Sequence, residues 1–151
     1  MKRKQKRVVG DIVQIELADG SLCFGRVLKS PLMAFYDLNT TKAPPLEEIV
    51  NLPVLFKVWL MDYAVTSGHW KIIHHADLEE DLQVDVAFYK QDLISKKLFI
   101  HQGSNELPAT YEQCEKLECA AVWDPVHIED RLRDHYLGLP NKWVESLRIK
   151  R

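Results

Sequence analysis

The densest chemistry in this chain lies at 68–81, GHWKIIHHADLEED, where His69, His74 and His75 run into Asp77, Glu79, Glu80 and Asp81. An imidazole beside a carboxylate is a general-base arrangement, and histidines with carboxylates also ligate zinc. The spacing speaks against both. If the strand-like pattern of HWKIIHH runs through His74 and His75, their rings point to opposite faces and cannot share one ion. His127 and His135 fall on one side of a helix but about 12 Å apart by helical rise. No H-E-x-x-H motif occurs. The six histidines (His69, His74, His75, His101, His127 and His135) therefore read as surface or hydrogen-bonded structural groups. A hydrolase using His74 or His75 with Asp77 or Asp81 stands as the enzymatic alternative.

The acids that follow offer a different chemistry. DLEEDLQVD, residues 77–85, carries five carboxylates and no base in nine residues, while the rest of the chain is net positive. The twelve-residue calcium-loop pattern is absent. A solvated face is the default for such a run, and it acquires a function when a basic molecule meets it. Glu79, Glu80, Asp81 and Asp85 are the residues expected to face such a partner.

Other chemistries lack their residues. The six glycines are scattered, with no phosphate-cradling loop and no G-x-S-x-G elbow, so no cofactor is expected. Cys23, Cys114 and Cys119 are an odd set, and no second ligand pair follows Cys114 and Cys119. They are expected to be buried or half-buried thiols, not a disulfide framework or a zinc site.

The elements that must hold these groups follow from pattern. At 151 residues the chain is expected to form one domain, 1–151, with a core built without staples. Lys2, Arg3, Lys4, Lys6 and Arg7 make residues 1–7 a basic tip, expected to fray. A net charge of −2 and the lack of a basic stripe elsewhere make nucleic acid an unfavoured partner. No apolar run reaches about 18 residues and no signal-peptide pattern opens the chain, so a cytoplasmic protein without a membrane partner is expected.

DIVQIEL alternates with period 2, Asp19-Gly20 signals a type I′ turn, and LCFGRVL returns, with Gly25 marking a bulge or a close approach. LMAFYDL completes a meander. Pro44-Pro45 breaks the pattern, with one helical turn expected at Glu47–Asn51. VLFKVWLMDYAV should be a central strand, HWKIIHH a fifth, and KKLFIHQ the last of the sheet. TYEQCEKLE looks helical behind a Thr110/Gln113 capping box, and CAAVW is a short strand or buried segment. DPVHIEDRLRDHYLG is the best helix: Asp124 caps it, Pro125 opens it, Gly138 ends it, and Ile128, Leu132 and Tyr136 share one face. A further short helix restarts after Pro140-Asn141. The fold class is α+β: an antiparallel meander sheet, strongly curved or barrel-like, with C-terminal helices packed against it.

The opening VVGDIVQIELADGSLCFGRVL resembles the immunity protein 26 family of bacterial polymorphic toxin systems, through Gly10, Asp11, Asp19, Gly20, Gly25, Arg26 and Val27. VLFKVWLMDYAVTSGHWKII is similar to that family's apolar strand followed by Gly-x-Trp. The tail is similar through Trp123, Glu129, Arg131, Leu132, Gly138, Pro140 and Asn141. The resemblance spares residues 39–52 and 76–108, and its shared positions read as turn, cap and core. It implies an immunity protein that neutralises a cognate toxin's C-terminal domain by stoichiometric, non-catalytic binding. Toxins that attack nucleic acids carry basic clefts, which the acids of 77–85 would complement. A small-barrel nucleic-acid-binding module is the remaining alternative, with FGRVLK its nearest approach to a binding strand.

Overall fold

A computed structural model describes residues 2–151, and among them lie ten strands and five helices. The first hairpin shows how local sequence sets register. Strand β1 (Asp11–Glu16) turns into β2 (Leu22–Val27) through a loop closed by Gly20 N–H to Leu17 O at 2.9 Å and Leu17 N–H to Ser21 O at 2.8 Å. Of the turn pair only Gly20 takes positive φ, at +84°. The loop is thus a turn closed by a left-handed glycine, and not the type I′ turn expected, because Asp19 keeps negative φ and spends its carboxylate on Ser21 N–H at 2.9 Å.

Strands β3 (Leu32–Tyr36), β4 (Val54–Leu60) and β5 (Lys71–His75) complete an antiparallel set, joined at one edge by the two-residue β10 (Val122–Trp123). The order is β10-β4-β3-β2-β1-β5, with β10 parallel to β4. Alternation sends neighbours to opposite faces, and both faces are covered. Val13, Ile15, Val27, Met33, Phe35 and Val58 pack with Trp70 and with Ile128 and Leu132 of helix α4 (Pro125–Leu137). Ile12, Phe24 and Tyr36 pack under Ile49 of helix α1 (Leu46–Val50), and Leu28 and Ala34 pack under Leu82. A Cβ on Gly25 would stand 3.3 Å from both Met33 Cε and Val13 Cγ2, so the close approach expected there is present.

A second sheet, β8-β7-β6-β9, holds β6 (Ala87–Gln91), β7 (Leu98–Gln102), β8 (Asn105–Ala109) and β9 (Glu118–Cys119). Neither sheet closes into a barrel among the described residues. KKLFIHQ, expected in the first sheet, forms β7 of the second, because β6 precedes it within the loosely patterned stretch. CAAVW divides between β9 in one sheet and β10 in the other, so residues 118–123 tie the two sheets together. The most apolar strand ends early. Residues 63–66 form helix α2 (Tyr63–Thr66), which buries Ala64 and Val65, and Met61 N–H bonds Trp123 O at 3.0 Å. β4 is flanked on its outer side only by β10, and β2 is the more deeply buried strand.

The C-terminal helices follow their caps. Thr110 and Gln113 form the capping box of α3 (Tyr111–Cys114), which stops after four residues. Asp124 accepts from Val126 N–H at 2.9 Å, Pro125 opens α4, and Gly138 closes it at φ +70°. Wholly buried Ile128 and Leu132 each contribute about 2 kcal/mol by leaving water, which holds α4 on the sheet. Asn141 caps α5 (Lys142–Ser146). The basic tip departs from the frayed terminus expected of it. The Gln5 amide donates to Val65 O and Trp70 O, and Arg7 donates to Leu28 O and Leu32 O, each at 2.8–2.9 Å. Both side chains tie the N-terminal segment to backbone carbonyls of the first sheet and its connections.

Candidate functional site

The segment from Ala76 to Val86 carries the chain from β5 of the first sheet to β6 of the second. One buried side chain anchors its start. Arg26 of β2 is fully buried, and all five of its N–H groups find acceptors. Nε donates to Gly10 O at 2.8 Å, and Nη2 donates to Ala76 O at 2.7 Å and Asp77 O at 3.0 Å. Nη1 donates to the Tyr36 hydroxyl at 3.0 Å and to Glu79 Oε2 at 3.2 Å. Gly10 lets the crossing happen: at φ +102° it brings Ala76 O to 2.4 Å from where a Cβ would sit. Burial pushes the Tyr36 phenol up, against the pull of Arg26.

Beyond that anchor the segment sorts its residues by hydropathy. Leu78 and Leu82 turn inward onto Leu28, Ala34 and Leu32, while Glu79, Glu80 and Asp81 stay exposed around a short 3-10 turn at Glu80–Leu82. Lys57 Nζ reaches Asp81 O at 3.4 Å, a backbone bond that leaves the Asp81 carboxylate uncommitted. At the far end the Asp85 carbonyl accepts from Gln102 Nε2 at 2.9 Å, and its carboxylate lies against Gly103 in the β7–β8 turn. The four acids singled out from sequence thus lie along one exposed connection. They differ in one respect. Glu79 is engaged with Arg26, whereas Glu80, Asp81 and Asp85 make no ion pair within 4.0 Å among the described residues.

The segment forms one wall of a cleft of about 1170 Å³ between the sheets. Trp59 and Phe88 floor it, their ring centroids 4.7 Å apart, and His101 meets Trp59 edge-on at 5.6 Å. Asp77 and Asp85 both line it. Trp59 and Phe88 escaped sequence reasoning because they lie on strands of different sheets, and no local pattern announces that pairing. Arg26 left a weak signal, a base on the apolar face that Phe24 begins.

The histidines are dispersed. His75 Nδ1 pairs with buried Asp11 at 2.7 Å, across the β1–β5 ladder, and not with Asp77 or Asp81 as the hydrolase alternative requires. His69 Nε2 lies 2.6 Å from Glu129 Oε2, which also accepts from Trp70 Nε1 at 3.0 Å. His127 stacks on Trp143 at 3.6 Å, and His135 lies 3.9 Å from Asp37. Among the described residues no three His, Cys, Asp or Glu side chains converge on a metal-sized site. The three thiols are free; burial pushes Cys23 up to about 11 and raises Cys114 and Cys119 as well. The nucleic-acid alternative loses its central base, because Arg26 of FGRVLK has no exposed surface. No helix among the described residues is long and apolar enough to cross a membrane.

The family model described as immunity protein 26 matches residues 8–99. That span includes β1 to β5, Arg26 and the whole acidic connection, and it stops inside β7. The C-terminal positions that resemble the family, from Trp123 to Asn141, lie beyond it. No curated protein and no solved structure matches the chain.

Proposed function

The chain belongs to the immunity protein 26 family, and on that premise we propose that it binds and neutralises the toxic domain of a bacterial polymorphic toxin system. Neutralisation is stoichiometric: the protein occupies the toxin and does not transform it. The contact surface is the connection at 77–85, with Glu79, Glu80, Asp81 and Asp85 facing a basic toxin surface.

The observation that carries this reading is the anchoring of that connection. A solvated acidic loop needs no buried support. Here a fully buried arginine commits three of its five donors to the carbonyls of Ala76 and Asp77 and to the Glu79 carboxylate, while Glu80, Asp81 and Asp85 stay exposed and in no ion pair among the described residues. Carboxylates held in place cost little to order when a partner arrives, and their field steers a basic partner before contact.

The test is a titration of the toxin domain encoded beside this protein. Its activity is expected to fall linearly with added protein and to vanish at one equivalent. Complete loss at a small fraction of an equivalent would instead mean that the protein inactivates the toxin by catalysis.

A further inference from the structure

The cleft beside the acidic connection combines two features that recognise one chemical group. Its floor is the Trp59 indole, half-buried and held in place by Phe88 at 4.7 Å and by His101 at 5.6 Å. Its lip carries Asp77 and Asp85, both exposed and neither in an ion pair among the described residues. Lys29 also lines the cleft, so the lip is net acidic. His101 turns its Nδ1 toward Glu106, 3.7 Å away. A fixed aromatic face under free carboxylates suits a cation that is flat and can donate in two directions at once.

The chain already builds this recognition unit from its own residues. Arg131 lays its guanidinium 3.7 Å over the Phe56 ring and 5.2 Å from the Trp123 ring, while its two Nη groups donate to the Glu118 carboxylate at 2.8 Å each. The cleft carries the same two kinds of group, an aromatic face in Trp59 and carboxylates in Asp77 and Asp85.

We propose that the cleft receives an arginine side chain presented by the partner, stacked on Trp59 and paired with Asp77 and Asp85. The proposal deepens the immunity reading and rests on it for the partner's identity. It names the residue type that must protrude from the toxin, adds Trp59 to the contact surface and gives Asp77 a part in it. Arginine is preferred over lysine because a planar guanidinium stacks on the indole and keeps its edge donors free for carboxylates, whereas an ammonium is a compact, strongly hydrated charge.

The experiment follows the four indole N–H resonances of the ¹⁵N-labelled protein during titration with the peptide acetyl-Gly-Arg-Gly-amide and its citrulline counterpart. Citrulline keeps the shape and removes the charge. Trp59 is expected to shift with the arginine peptide and to stay in place with citrulline, while Trp70, Trp123 and Trp143 do not move. Asp77→Asn with Asp85→Asn removes both charged contacts and should weaken the arginine titration by about tenfold or more. A Trp59 signal that ignores the arginine peptide, or follows both peptides equally, overturns the proposal. Toxin binding measured alongside separates the two readings. A toxin still bound at one equivalent by a protein whose Trp59 ignores arginine sinks the arginine site and leaves the immunity function standing.

Discussion

Arg26 and Glu79 lie 53 positions apart and meet at 3.2 Å, a fully buried guanidinium against a carboxylate that is two-fifths exposed. The contact joins the second strand of the sheet to the acidic connection. It also divides labour among the acids, since Glu79 fixes the segment while Glu80, Asp81 and Asp85 remain free to meet a partner.

That division predicts unequal mutants. Arg26→Leu removes five hydrogen bonds and strands the carbonyls of Ala76 and Asp77, so it should cost about 3 kcal/mol in urea unfolding. Glu79→Gln keeps an acceptor at the exposed end and should cost under about 1 kcal/mol. Equal losses would mean that the connection is not organised from Arg26.

The histidine pair predicts a separation of stability from binding. His75→Ala removes the partner of buried Asp11 and should destabilise the fold by about 1–2 kcal/mol. Toxin affinity of the His74→Ala, His75→Ala double variant should nonetheless stay within about tenfold of wild type. A stably folded double variant that has lost protection altogether would point to imidazole chemistry.

Much of the fold was legible in the sequence because local chemistry dictated it. The alternation in DIVQIEL, the returning strand in LCFGRVL, the Thr110/Gln113 box and the Asp124-Pro125…Gly138 bracket all act over a few residues, and all appear as read. What stayed hidden was decided at long range. β6 pairs with β7 and β9 in a second sheet, and nothing in AFYKQ distinguishes it from a strand of the first. The strand stops at the end of its pairing with β10, where Met61 N–H bonds Trp123 O, and Asp62 then turns into the helix Tyr63–Thr66; β10 lies far on in sequence. The basic tip looked free because its acceptors, at residues 28, 32, 65 and 70, are distant in sequence. The acidic run was visible as charge, but its arginine anchor and aromatic neighbour were not.

The α4 cap predicts a pH dependence. The Tyr63 hydroxyl, donating at 2.6 Å, holds the Asp124 carboxyl below its ordinary value of 3.8, helped by Val126 N–H. A depressed folded-state pKa means the stabilisation is complete above the unfolded value and is lost as pH falls through the folded one. Asp124→Ala should therefore lower stability by about 1 kcal/mol at neutral pH, and its deficit should shrink below about pH 4. Gly138→Val should cost more, since a β-branched residue resists φ of +70°. A deficit for Asp124→Ala that is constant with pH would remove the carboxylate from the account.

The thiols predict inertness. With Cys23 buried and pushed up to about 11, its thiolate is scarce at neutral pH, so Ellman's reagent should leave it unmodified until the protein is unfolded. Rapid labelling of Cys23 in the native protein would show that this part of the core opens readily.

The most direct measurement is the association rate with the toxin domain across salt, comparing wild type with Glu80→Lys, Asp81→Lys. These two carboxylates are exposed and in no ion pair among the described residues, and their reversal leaves the Arg26–Glu79 contact intact. The reversal should slow association at about 0.1 M salt far more than it speeds dissociation. The two proteins should converge toward about 1 M, where the screening length falls to roughly 3 Å. Identical association rates at low salt would contradict the account, returning residues 77–85 to a solvated connection that no partner reads.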